Sequence, residues 1–221
     1  MFQDKVVVIT GGAGGIGKCI REEFEKAGAK VCIIDIADNP YFVGDIGDEA
    51  TLRRFAEKVI EEHGRVDCLI NNAPPLFKGI NECTYEEFNY ALRVGVSSAF
   101  LLTQLFQPYF APGASIINIS SSRDRMSQPQ SESYAAAKGG ISALTHALAV
   151  SFGGKVRVNS ISPGWSTQIT RSTRGRTPFS SPPDGWATRW ISPIWCCSCA
   201  QIRQDSSPAR ISASTAARRD S

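Results

Sequence analysis

The sequence predicts an α/β domain: a single doubly wound parallel sheet with helices on both faces. Three observations carry that reading. Apolar β-branched runs alternate with helix-period segments across residues 1–165. The runs are continuously apolar, as strands covered on both faces are, rather than alternating. A glycine-rich turn closes the first run, where a strand hands over to a helix.

Taken in order, "KVVVIT" (5–10) reads as a buried strand. Ile16, Cys19, Ile20, Phe24 and Ala27 then recur at helical spacing up to Gly28. "KVCIID" (30–35) is the second strand, and Leu52, Phe55, Ala56 and Val59 mark a helix ending near Gly64. Further strands fall at "VDCLINNA" (66–73), "SIINISS" (115–121) and "VRVNSISPG" (156–164), with helical segments over 84–107 and 132–152.

With 221 residues, 42% of them hydrophobic and 20% charged, the chain suits one soluble domain with a sizeable core. No apolar run approaches the roughly 20 residues needed to cross a bilayer. "MFQDKVVVIT" shows no basic start followed by an apolar signal segment. The expectation is a cytoplasmic protein with no membrane partner and with reduced thiols. Cys19, Cys32, Cys68 and Cys83 stand among apolar neighbours and read as small core residues. His63 precedes Gly64 at a helix end and His146 lies on the helix after Lys138; neither has metal-ligand spacing, and no metal is expected.

"TGGAGGIG" (10–17) lies between the first strand and the first helix. Glycines there let the backbone turn tightly and approach a pyrophosphate, which the free N–H groups of the helix start then stabilise. Such a loop alone is also compatible with a plain turn. Asp35, however, ends the second strand, where a carboxylate hydrogen-bonds the adenosine ribose and repels a 2′-phosphate. Together these features favour NAD over NADP.

Tyr134 and Lys138 are four apart and share a helix face. A free tyrosine titrates near 10. A neighbouring ammonium favours its phenolate, which suits such a pair to proton transfer nearer neutral pH. A tyrosine and a lysine that merely decorate a helix are the bland alternative. The preceding cofactor loop, and Ser121 at the end of a strand, argue against it.

The glycines are spaced T-G-x-x-x-G-x-G, from Thr10, Gly11, Gly15 and Gly17. With "GDIGD" around Asp45, "NNA" at 71–73, Ser121, "YAAAK" at 134–138 and "NSISPG" at 159–164, the chain resembles the short-chain dehydrogenase/reductase family over residues 3–165. The resemblance implies a Rossmann-like fold and an NAD-dependent oxidoreductase, moving hydride between nicotinamide and a secondary alcohol/ketone. It implies that Tyr134 exchanges a proton with the substrate oxygen, that Lys138 holds the nicotinamide ribose, and that Ser121 polarises the substrate carbonyl. Cofactor contacts are implied at Thr10, Gly11, Gly15, Ile16, Gly17, Asp35, Asp45, Ile46, Asn72, Ala73, Tyr134, Lys138, Pro163 and Gly164. A homodimer or homotetramer is implied as well.

Two positions depart from the family pattern. Gly95 stands where the family usually has an Asn that supports a water in the proton relay, which predicts lowered activity, with Ser97 or a bare water standing in. Pro74 stands where glycine is usual, and proline fixes φ and removes a donor. A cofactor-binding protein with little or no catalysis is therefore the competing reading.

Residues 166–221 differ from the rest. The first 165 residues hold 16 Lys+Arg against 18 Asp+Glu, whereas the last 56 hold 8 against 3, all eight arginines. This tail has no Leu, Val, Lys, Glu or Asn, but eleven Ser and three Trp, so it matches neither a core-forming segment nor a usual disordered one. Cys196, Cys197 and Cys199 lack paired C-x-x-C spacing and a nearby His, against a zinc site. Nucleic-acid binding through the arginines is not expected.

Translation out of frame accounts for the tail better. Trp has a single codon, TGG, so overlapping codons are forced: glycine at Trp186–Ala187, aspartate at Trp190–Ile191, valine at Trp195–Cys196 and leucine at Cys196–Cys197. The shifted reading resembles the C-terminal segment of the family. Residues 1–165 are thus expected to form the dinucleotide-binding and catalytic domain. The tail 166–221 is expected to stand in place of the substrate lid and last strand.

Overall fold

A computed structural model describes residues 2–164. The expectations for the tail 166–221, its cysteines included, lie outside the described residues. Six strands form one sheet in the order β3-β2-β1-β4-β5-β6, with every pair parallel. They are β1 (Val6–Thr10), β2 (Lys30–Asp35), β3 (Phe42–Val43), β4 (Val66–Asn71), β5 (Phe110–Ile119) and β6 (Arg157–Ile161). The helices are α1 (Gly15–Lys26), α2 (Glu49–His63), α3 (Tyr85–Leu92), α4 (Ser98–Phe106) and α5 (Glu132–Phe152). No helix among the described residues is long and apolar enough to cross a membrane.

The continuous apolar strands have the consequence expected of them: all five residues of β1 are buried. Val6 and Val8 face α2 and α4 in one core with Phe55 and Phe106, while Val7 and Ile9 face α1 and Phe24 in the other. Each of these phenylalanines is fully buried, which contributes about 1.5–3 kcal/mol apiece relative to exposure.

Several boundaries differ from the sequence reading. The segment 84–107 is not one helix. A π-turn, Arg93–Ser97, divides it into α3 and α4 around Gly95, a poor helix former. Thr84 and Glu87 form a capping box that starts α3. β5 ends at Ile119, leaving Ser120 and Ser121 beyond the strand, and β4 ends at Asn71. β3, only two residues long, is too short to give a periodic signal. Cys19 is a correction: it is exposed, because α1 buries Ile20 and Phe24 and Cys19 lies off that face. Cys83 is only half-buried, while Cys32 and Cys68 are core residues as expected. His63 does close α2, followed by Gly64 in a left-handed cap.

Candidate active site and cofactor cradle

The C-terminal ends of β1, β4 and β5 converge beside the start of α1. Thr10 joins the first two: its hydroxyl oxygen accepts the backbone N–H groups of Asn72 at 3.0 Å and Ala73 at 3.2 Å. The Asn72 side-chain amide donates back to the carbonyls of Thr10 and Gly11, at 3.1 and 2.9 Å. Asn72 thus braces the glycine-rich turn. A Cβ at Gly17 would collide with the Gly11 carbonyl and the Asn72 amide, so α1 can start this close only with glycine there. α1 begins behind Gly14 with no side-chain cap, which leaves its first N–H groups facing outward.

Asp35, at the end of β2, accepts the N–H of Ala13 from the turn at 2.9 Å and that of Ala37 at 3.0 Å. Its carboxylate therefore sits at the rim of the cradle. Asp45 accepts the Gly47 N–H at 2.7 Å, and the Tyr90 hydroxyl lies 3.1 Å from both its oxygens. Ile46 is buried in the α2-side core. The uncapped helix start, the glycine-lined turn and the rim carboxylate fit a dinucleotide.

The second half of the site hangs on α5. Tyr134 and Lys138 stand one turn apart there, with the Lys138 ammonium 5.5 Å from the centre of the Tyr134 ring. Lys138 is almost fully buried and donates to the Ile119 carbonyl at 2.6 Å. Burial pushes its pKa down from 10.5 to about 8. Ser121 follows β5, and its hydroxyl oxygen accepts the Arg123 N–H at 3.2 Å. Ser121 and Tyr134 line one cleft of about 230 Å³, together with Phe77, Ser122, Arg123 and Gly164. Ile16 and Pro163 are half-buried, and the Pro163 carbonyl accepts the Ser122 N–H at 3.1 Å.

Two features escaped the sequence reading. Ser133, fully buried beside Tyr134, stitches the loop after β4 to α5. Its hydroxyl lies 2.9 and 2.8 Å from the carbonyls of Leu76 and Lys78 and accepts the Lys78 N–H at 2.9 Å. This holds Phe77 with its ring 5.3 Å from that of Tyr134. Second, an Asn71–Asn118–Thr145 chain, with steps of 2.7 and 2.8 Å, ties β4, β5 and α5 together. The repeated Asn of "NNA" hints at the first link; its partners are distant in sequence.

Gly95 has a packing role. A Cβ there would lie 2.7 Å from the Cβ of Ala137 and 3.2 Å from that of Pro75. Pro74 is exposed while Pro75 is buried against this spot. Ser97 is exposed and two residues on, a spacing that does not share a helical face, so it does not stand in for the missing side chain.

Comparison with known proteins agrees with this architecture. A family model described as Enoyl-(Acyl carrier protein) reductase matches residues 11–182. An uncharacterized oxidoreductase of Thermotoga maritima is 37% identical over 75% of this chain and 72% of its own length. The L-fucose dehydrogenase of Bos taurus is 33% identical over 74% of this chain and 66% of its own. Among solved structures, an apo SCOR enzyme from Clostridium thermocellum superposes with a TM-score of 0.70 at 43% identity, over 76% of both chains. A 3-ketoacyl-(acyl-carrier-protein) reductase from Brucella melitensis complexed with NADH gives 0.66 at 29% identity, over 74% of this chain and 77% of that one. A blue fluorescent protein from a metagenomic library, in complex with NADPH, gives 0.71 at 26% identity, over 76% and 77%. The chain belongs to the short-chain dehydrogenase/reductase family and is an oxidoreductase of that type. Nicotinamide cofactors are the class that its structural neighbours bind.

Proposed function

We propose that the protein is an NAD-dependent dehydrogenase/reductase acting on a secondary alcohol/ketone pair. The observation that carries this reading is the sharing of one cleft by Ser121 and Tyr134, with the Lys138 ammonium buried beside the Tyr134 ring. The α1 N-terminus and the turn Thr10–Gly17 would hold the pyrophosphate, and Asp35 the adenosine ribose. Asp45, Ile46, Asn72, Ala73, Pro163 and Gly164 would wall the cofactor. When bound, the nicotinamide supplies the hydride acceptor or donor.

The chain's own residues supply the rest. Ser121 donates a hydrogen bond to the substrate oxygen and keeps its carbonyl polarised. Tyr134 delivers a proton to that oxygen in reduction and removes it in oxidation, a role that contributes about 10²–10⁴-fold. Lys138, one helical turn on with its ammonium 5.5 Å from the centre of the Tyr134 ring, would hold the nicotinamide ribose. Retention of all three residues supports catalysis over the competing reading of binding alone. The Asp35 carboxylate at the rim supports NAD over NADP, because it repels a 2′-phosphate. A spectrophotometric assay of secondary alcohols and ketones tests this, with NADH formation exceeding NADPH formation as the expected result.

We also propose that residues 1–165 carry the cofactor and catalytic functions and that 166–221 are read out of frame. Intact mass with peptide mapping past Trp165 decides. A mass near 23.9 kDa with arginine-rich, leucine-free peptides shows the out-of-frame tail in the polypeptide itself, and NAD binding with crippled catalysis is then expected. A heavier chain with Leu- and Val-containing peptides shows an in-frame C-terminus of the family type, and full activity is then expected.

A further inference from the structure

We propose that Asp124 and Ser142 are positioning residues, which lock Ser121 to the helix that carries Tyr134 and so set where Ser121 meets the substrate oxygen. The proposal rests on the catalytic reading of that cleft. Tyr134, Lys138 and Ser142 stand at i, i+4 and i+8 of α5 and share one face of it. On the strand side, Ser121 opens the short 3-10 turn Ser122–Asp124. Its hydroxyl oxygen accepts the Arg123 backbone N–H at 3.2 Å, and its carbonyl accepts the Asp124 N–H at 3.1 Å. Both oxygens of Ser121 are tied to this turn, so whatever holds the turn holds Ser121.

Asp124 does the holding. Its side chain is only 8% exposed, and its Oδ2 accepts the Ser142 hydroxyl from α5 at 2.9 Å. The Nε of the largely exposed Arg125 is 4.0 Å from its Oδ1, so Ser142 is the closer partner. The single Ser142 proton goes to the carboxylate, the stronger acceptor, rather than to the Lys138 carbonyl at 3.1 Å. The Ser142 oxygen then accepts from Ser120, whose hydroxyl lies 2.8 Å away and 3.0 Å from the same carbonyl. The chain Ser120–Ser142–Asp124 thus fastens Ser121 to α5 from both sides in sequence. It also separates the neighbouring serines: the buried Ser120 hydroxyl is taken up here, while Ser121 lines the cleft with Tyr134.

The test measures kcat and KM of the full chain in the NAD-linked alcohol assay. Asp124→Ala should lower kcat by roughly ten- to a hundredfold, the cost of a small misplacement of a reacting group, with KM for NAD unchanged. Asp124→Asn, which keeps an acceptor oxygen, should regain most of that loss. Ser142→Ala removes the donor without touching the turn and should lower kcat likewise, which carries the test if Asp124→Ala does not fold. In a Ser121→Ala background either change should cost less than about twofold more, because the effect runs through Ser121. An undiminished kcat, an equally large loss in the Ser121→Ala background, or an Asp124→Asn as impaired as Asp124→Ala would each overturn the proposal.

A readout without turnover separates this proposal from the catalytic reading. Amide hydrogen exchange is followed at residues 122–126, where Asp124 and Met126 donate to the carbonyls of Ser121 and Ser122. Ser142→Ala and Asp124→Ala should each speed exchange there by about tenfold, while the amides of β1 and β4 keep the parent rates. That pattern supports the latch even where the catalytic reading fails. Unchanged rates at 122–126, or faster exchange throughout the sheet, contradict it.

Discussion

The Lys138 ammonium donates a 2.6 Å hydrogen bond to the carbonyl of Ile119, the last residue of β5. That bond joins the helix carrying Tyr134 to the strand that leads into Ser121. It also confines a cation to a site that water scarcely reaches, which costs stability.

The cost has a pH signature. Burial lowers the Lys138 pKa from 10.5 to about 8. Between those values the unfolded chain still holds a proton that the folded chain has released, so this group's effect on stability improves as pH rises. Below about 8 both states are protonated and the penalty is constant. Relative to Lys138→Met, the parent should gain about 2–3 kcal/mol between pH 7 and 10. Urea unfolding at both pH values checks this; a pH-independent difference contradicts it.

Gly95→Asn, which restores the residue usual in the family, should not restore activity here. The added side chain meets Ala137 and Pro75, so α5 must shift next to Lys138. Overpacking of this kind costs about 1–3 kcal/mol. A thermal melt and kcat measured together test the point: both should fall. A more active variant of unchanged stability would show that the gap at Gly95 harms a proton relay after all.

Ser133→Ala should release the loop Leu76–Lys78 from α5 and leave buried polar groups unpaired, at about 1–3 kcal/mol. Because the same loop carries Phe77 in the substrate cleft, KM for substrate should rise more than KM for NAD. Equal changes in both would indicate a general loss of fold.

Asp35→Asn should lower the NAD:NADP ratio of kcat/KM by about tenfold or more, since a fixed negative charge at the ribose is removed. A ratio that does not move would place cofactor choice elsewhere.

Much of this was legible in the chain because it is local. "KVCIID" and the segment 132–152 coincide with β2 and α5 to the residue. Continuous apolarity marked the sheet, and the spacing of Thr10, Gly11, Gly15 and Gly17 marked the cradle. What escaped depends on contacts between distant residues. The π-turn at Gly95 answers to Ala137 and Pro75, and the Ser133 stitch reaches 55 residues back to Lys78. Cys19 sits in a helix whose buried face is narrower than its apolar neighbours suggested.

The central claim is that Tyr134 performs the proton transfer in an NAD-linked alcohol/ketone reaction. Turnover of a secondary alcohol by parent and Tyr134→Phe, with NADH binding followed by fluorescence in both, tests it most directly. The account predicts turnover in the parent, a loss of about 10²–10⁴-fold in the variant, and NADH binding in each. A variant as active as the parent, or a parent that binds NADH yet turns over no alcohol or ketone, would contradict it.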